Sequence, residues 1–194
     1  MVNLKKNNPL RAIVLAGGKS SRFGSDKAFY KPEGNSLCFI EQTVQKLEKF
    51  TREIFISVNQ AQIQQMEKLF YSKKSVQLVP DLKEVVEYGP LGGLYSVSQQ
   101  DASDAGQSYL ILPVDLPRLT EEELKKLARA HNVYAATPQK EHFLVAHLPF
   151  FKAEIEESVA HGEHRVKNLL DRLNSKPLLF PPEAEARFFN QNAK

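Results

Sequence analysis

Short apolar runs of four to six residues alternate with helix-length segments along almost the whole chain, and this limits the fold more than any other feature. Residues 12–15, 53–58, 76–79, 109–112, 133–137, 143–148 and 177–180 read as strands. Residues 37–50 carry Ile40, Val44 and Leu47 at the i, i+4, i+7 spacing of one helical face. Residues 62–70, 152–160 and 166–173 read as further helices, and another runs from the segment 88–94 towards Gln99. Thr120 with Glu123 forms a capping box that opens a helix to Ala130. Strands alternating with helices in this way predict an α/β fold: a mostly parallel, doubly wound sheet with helices on both faces, in three layers. Residues 1–194 are read as one domain, with no internal repeat, low-complexity tract or linker.

In doubly wound sheets ligands bind beyond the carboxyl ends of the strands. The first of those ends is the most unusual stretch of the chain. The strand at 12–15 runs straight into Ala16-Gly17-Gly18-Lys19-Ser20-Ser21-Arg22-Phe23-Gly24-Ser25-Asp26-Lys27. Three glycines, two further serines beside Ser20 and several cations make a poor core but a good polyphosphate loop. Gly17 and Gly18 can take positive φ and admit a ligand to bare backbone, and successive N–H groups in such a turn form an anion-binding concavity. Arg22 and Lys27 add the charge that a triphosphate requires. A plain turn would need neither cation.

Spacing excludes two common cradles. A Walker A loop ending at Gly18-Lys19-Ser20 would need a glycine at position 13, where Ile13 stands. A dinucleotide fingerprint counted from Gly17 would need a glycine where Lys19 stands.

Carboxylates and amides follow the other early strands. Asp115 lies just past the strand at 109–112, between Pro113 and Pro117, where it is placed to bind a magnesium ion carried by nucleotide phosphates. Asp81 follows the third strand; it reads equally as a nucleotide contact or as a helix cap or Asx-turn. Asn59 follows the second strand and reads as a nucleotide contact or an exposed turn residue. These positions, with the loop after the first strand, should converge on one edge of the sheet.

Leu-Ala-Gly-Gly-x-Ser-x-Arg-x-Gly-x-Asp-Lys after the first strand resembles the signature of the molybdenum cofactor guanylyltransferases, MobA-type enzymes of the nucleotide-diphospho-sugar transferase-like superfamily. Gly17, Gly18, Arg22, Gly24 and Lys27 all fall in register. The resemblance implies transfer of GMP from GTP to the terminal phosphate of molybdopterin, with release of pyrophosphate. It assigns nucleotide binding to Leu15, Ala16, Gly17, Gly18, Lys27, Asn59, Asp81 and Asp115, a catalytic role to Arg22, Lys27 and Asp115, and the Mg²⁺ ion to Asp115. Gly89-Pro90-Leu91-Gly92-Gly93 is similar to the family's Gly-Pro-Leu-x-Gly segment, and Gly92 and Gly93 are expected to wall the acceptor side. Arg165, in a basic turn, is expected at the acceptor's phosphate, and Asn190 and Asn192 match a C-terminal Asn-x-Asn. Two departures stand out: the usual Thr-Pro after Asn192 is missing, and the family's His-Pro is His142-Phe143 here.

Related cytidylyltransferases acting on the same acceptor tend to read Leu-Ala-Ala-Gly. Gly17, which leaves room for a larger base, therefore favours guanine. Sugar-nucleotide pyrophosphorylases usually have longer chains and prolines leading up to the lysine. A non-catalytic nucleotide-binding maturation factor would not need Arg22, Lys27 and Asp115 together. GTP and molybdopterin are the implied substrates, and proteins of cofactor biosynthesis and molybdoenzyme maturation the implied partners.

The remaining composition fits this reading. A net charge of +3, spread along the chain, gives no case for nucleic-acid binding. No apolar stretch is long enough to span a membrane, and residues 1–11 lack the apolar core of a signal peptide. Cys38 is the only cysteine, so no internal disulfide forms, and a cytoplasmic setting is expected. His161 and His164 read as a solvated turn rather than metal ligands, and Glu121-Glu122-Glu123 as a dipole-complementing first helical turn.

Overall fold

The computed structural model describes residues 10–17, 26–102 and 106–190. Among these residues seven strands form one sheet: β1 (Leu10–Leu15), β2 (Ile54–Val58), β3 (Val76–Pro80), β4 (Ser108–Pro113), β5 (Val133–Ala136), β6 (Glu141–Pro149) and β7 (Lys176–Leu179). Their order is β3-β2-β1-β4-β6-β5-β7. Every neighbouring pair is parallel except the two made by β6, so β6 alone is reversed. The expectation of a mostly parallel sheet holds, with one antiparallel insertion that the alternation did not reveal. β5 and β6 are joined by a short loop at 137–140, and a hairpin of that length turns the chain round.

Helices cover both faces: α1 (Phe39–Leu47), α2 (Ile63–Phe70), α3 (Pro90–Gln100), α4 (Glu121–Arg129), α5 (Lys152–Ala160) and α6 (Val166–Arg172). Side chains alternate across a strand, and β1 divides between two cores accordingly. Ala12 and Val14 pack with α1, α2 and α4. Ile13 and Leu15 pack with α3, α5 and α6. The central strands β2 and β4 are buried nearly throughout, as their largely apolar sequences require. β7 lies at the sheet's edge, where Pro177 costs no ladder bond inside the sheet.

α4 begins where its sequence specifies. Thr120 N donates to Glu123 Oε2 at 2.9 Å, closing the capping box. The acidic first turn and the Lys126 and Arg129 of the last turn complement the helix dipole. The short 3₁₀ segments Lys27–Phe29, Lys83–Tyr88 and Pro182–Phe188 were not legible as helices, because each is less than two α-turns long and has no sustained apolar face.

This strand order fixes the ligand edge. From β1 the chain moves outward to β2 and β3, then returns to the other side of β1 as β4. The connections therefore diverge between β1 and β4, and a crevice opens beyond their carboxyl ends. Val114 N donates to Leu15 O at 3.2 Å and sets the two strand ends side by side.

Candidate active site

Two side chains from opposite banks of that crevice meet. Lys27 Nζ lies 3.3 Å from Asp115 Oδ2, and both side chains are more than four-fifths buried. The other carboxylate oxygen, Asp115 Oδ1, is buried without a hydrogen-bond partner among the described residues. Such an orphan is rare in native proteins and calls for a missing partner. An acceptor-only oxygen left in this way fits a cation. Among the described residues no cluster of three or more His, Cys, Asp or Glu side chains could cage a metal by itself. Mg²⁺ at phosphates does not need one, since waters and phosphate oxygens complete its octahedron. The Asp115 loop is tied to α1 by Lys46, whose Nζ donates to Pro117 O at 2.6 Å. Burial pushes the Lys46 ammonium below the usual lysine range.

Asp81 lies at the same edge, past β3. Its Oδ1 accepts from Ser57 Oγ at 2.7 Å, and burial raises its carboxyl above the ordinary aspartate value against the opposing effect of that hydrogen bond. A Cβ built on Gly17 would stand 2.8 Å from Asp81 Oδ2 and 3.8 Å from Asn59 N. The residues following β1, β2 and β3 thus converge as expected.

Gly17 requires two corrections. It has a negative φ, since the described glycines with positive φ are Gly34, Gly89, Gly106 and Gly162. The space beside its Cα, expected to be left open for a base, is filled by the Asp81 carboxylate. Its backbone is committed too. Ala16 N and Gly17 N both donate to Ser57 O at 3.1 Å, so these two N–H groups are not part of a phosphate cradle. Leu15 is buried, with its carbonyl taken by Val114 N. Gly18 and Arg22 lie outside the described residues, as does Asn192.

The acceptor-side expectations meet packing instead. Gly92 and Gly93 are buried in α3. A Cβ at Gly92 would run into the Val85 carbonyl, and one at Gly93 into Ser57 Oγ and the Leu15 side chain. The wall expected of them is therefore a helix–sheet contact that admits no side chain. Gly89 opens α3 with φ +56°, a conformation that glycine alone adopts freely. The turn before α6 does reach this edge: His164 stacks on Tyr88 with ring centroids 4.0 Å apart, and Arg165 beside it is exposed. Asn190 is exposed beyond the last 3₁₀ segment, which docks through Phe188 on His142 and Arg187 on Glu123.

Two side chains that carry much of this geometry escaped the sequence reading. Ser57 supports Asp81 through its hydroxyl and the β1 end through its carbonyl; as a lone serine in a buried strand it gives no sequence signal. Gln62, only 2% exposed, donates from Nε2 to Ala16 O at 2.9 Å and to Asp26 Oδ2 at 2.6 Å. Its Oε1 accepts from Asn59 N at 2.9 Å, while Asn59 Oδ1 accepts from Gln62 N at 3.1 Å. Asn-x-x-Gln before an apolar helical run has the spacing of a capping box and could have marked this turn.

A mostly parallel sheet with a part-buried cation–carboxylate pair at its switch point suits a nucleotidyltransferase. Over residues 12–177 the chain matches the MobA-like NTP transferase domain, and it belongs to that family. A Geobacillus protein named a probable molybdenum cofactor guanylyltransferase is 33% identical over 125 residues, 64% of this chain and 60% of that protein. The molybdenum cofactor guanylyltransferase of Campylobacter jejuni is 25% identical over 194 residues, covering 95% of this chain and 92% of its own. A crystal structure from Aquifex aeolicus superimposes with a TM-score of 0.69 at 26% identity, over 99% of this chain and 97% of that one. Among the described residues, no helix is long and apolar enough to cross a membrane.

Proposed function

We propose that this nucleotidyltransferase transfers GMP from GTP to the terminal phosphate of molybdopterin. An oxygen of that phosphate attacks the α-phosphorus of GTP, the bond to the β-phosphate oxygen breaks, and pyrophosphate leaves with the electron pair. The observation that carries the reading is the Lys27–Asp115 pair at the switch point, with one Asp115 oxygen buried and unmatched. The names of the family's curated relatives supply the nucleotide and the acceptor.

Each residue has a part in this reading. Lys27 turns from Asp115 to the α-phosphate and neutralises the charge that grows there during attack. Arg22 and the backbone after Gly17 hold the β- and γ-phosphates. Asp81 accepts hydrogen bonds from the base or ribose, beside Asn59. Asp115 would hold Mg²⁺, which when bound supplies positive charge to the phosphate oxygens. Arg165, exposed beside the Tyr88–His164 stack, meets the acceptor's phosphate. No covalent enzyme intermediate is needed, since positioning and electrostatic stabilisation together can supply the acceleration.

Pyrophosphate release measured with GTP or CTP, Mg²⁺ and molybdopterin tests the reading. Release from GTP that depends on the acceptor is expected. A preference for CTP would overturn the base, and release from neither nucleotide would leave a binding factor on the same fold.

A further inference from the structure

Gln62 sits at the start of α2, yet its contacts reach both ends of the glycine-rich loop. Ala16 is the last described residue but one before that loop, and Asp26 the first after it. One buried amide group joins them, donating one hydrogen to Ala16 O and the other to Asp26 Oδ2. Both partners are acceptors, so the nitrogen must face them. The remaining oxygen faces the Asn59 N–H, which fixes the amide's orientation by chemistry.

Asp26 is held at both oxygens. Oδ2 takes the Gln62 amide, and Oδ1 accepts from Ala28 N at 3.0 Å, capping the 3₁₀ turn Lys27–Phe29. Lys27 opens that turn and reaches Asp115 from it. A continuous set of hydrogen bonds therefore runs from the end of β1 through Gln62 and Asp26 to the base of Lys27.

A helix-capping role alone does not explain this residue. The reciprocal contact with Asn59 needs only an acceptor at Oε1, and a glutamate would provide it equally well. The two donor contacts need an amide, and both point at the loop.

We propose that Gln62 is a positioning residue that clamps the two ends of the nucleotide loop and thereby sets Lys27 for the transfer step. This rests on the guanylyl-transfer reading given above. Gln62→Glu keeps the shape and the Asn59 contact, but it sets a carboxylate against two acceptors. In this variant kcat with GTP should fall by about 100-fold, the scale of a misplacement of roughly 1 Å. KM should change by less than about threefold, because Lys27 acts mainly on charge that develops in the transition state. Adding Asp26→Asn gives residue 26 an amide that can donate to the new carboxylate, and it should recover about tenfold of the lost kcat by restoring one charge-assisted bond. Gln62→Met, which keeps the volume without a buried charge, carries the test if Gln62→Glu does not fold; it should lose kcat to a similar degree.

If the wild type transfers GMP and Gln62→Glu stays within about twofold of it in kcat, the clamp is wrong and the function stands. A loss that Asp26→Asn fails to relieve also overturns it. If the wild type transfers from no nucleotide, the functional reading fails, and amide exchange over residues 26–30 decides the clamp. Faster exchange in Gln62→Glu supports it, and unchanged exchange overturns it.

Discussion

Gly17→Ala tests the claim that this glycine exists to admit the Asp81 carboxylate. The substituent is one methyl group, and the backbone at position 17 accepts it without strain because φ is negative. What does not accept it is Asp81 Oδ2, 2.8 Å from the new carbon. The carboxylate must retreat by roughly half an ångström to reach ordinary van der Waals contact. It is tethered by Ser57 Oγ at 2.7 Å, so the retreat stretches or breaks a hydrogen bond to an ionised acceptor. Such bonds contribute about 1.5–3 kcal/mol. Alanine returns about 0.4–1 kcal/mol by narrowing the unfolded ensemble. A net destabilisation of about 1–2 kcal/mol follows, with a nucleotide affinity reduced about tenfold if Asp81 touches the ligand.

A double-mutant cycle isolates the cause. In an Asp81→Ala background the nearest remaining contact among the described residues is Asn59 N at 3.8 Å, an ordinary one. Gly17→Ala should then stabilise slightly, so its sign inverts between backgrounds. Urea denaturation of the four proteins gives the coupling energy, and nucleotide titration gives the second readout. Equal costs in both backgrounds would refute the argument and return Gly17 to a direct role at the base.

Lys27→Ala should lower kcat by about 10²–10³-fold while changing GTP affinity less than about tenfold, read from single-turnover rates and equilibrium titration; equal losses in both would make Lys27 a binding residue only. Asp115→Asn should raise the Mg²⁺ concentration for half-maximal rate at least about tenfold, with a lower Tm in the free protein, because it also removes the charge that faces Lys27 Nζ. Burial holds the His142 and His147 imidazoles below the ordinary histidine value. The unfolded chain therefore binds protons near pH 6.5 that the native chain refuses, and stability should fall as pH drops below about 7. His147 is the more deeply enclosed, with Ala130 O and Ser108 Oγ on its two nitrogens. His147→Asn should flatten the dependence of the urea midpoint between pH 7.5 and 5, and an unchanged slope would place its source elsewhere.

The layers and nearly every strand of this fold were legible because each buried strand is a short apolar run between helix-length segments. The reversal of β6 was not, since periodicity reports burial and carries no direction. At the site, Asp81 and Asp115 could be read because both end apolar strands, where the parallel topology gathers carboxylates at one edge. Gly92 and Gly93 could be found but not interpreted. A glycine that admits a ligand and one that admits the Val85 carbonyl look the same in sequence. Gln62 was hidden because its partners, Ala16 and Asp26, are distant in the chain.

Ser57 ties these glycines into one mechanical unit, which yields a prediction far from any phosphate. Gly93 lets α3 lie on Ser57; Ser57 Oγ holds Asp81; and Ser57 O takes the N–H groups of Ala16 and Gly17. A methyl at position 93 meets the hydroxyl itself, so Gly93→Ala must rotate Ser57 or lift α3. Rotation releases Asp81. Lifting the helix loosens the Leu15 contact instead and spares the hydrogen bond. Overpacking of this kind costs about 1–3 kcal/mol in either case, so stability alone does not tell them apart. The Asp81 carboxyl does: freed from Ser57 it loses the hydrogen bond that opposes its desolvation, and its titration, followed by carboxyl carbon NMR, should move further up from the ordinary aspartate value. Gly92→Ala meets the Val85 carbonyl rather than Ser57 and should leave that titration in place at a comparable loss of Tm. The same Asp81 shift in both variants would mean that Ser57 is not the link, and that α3 bears on the nucleotide edge as a whole.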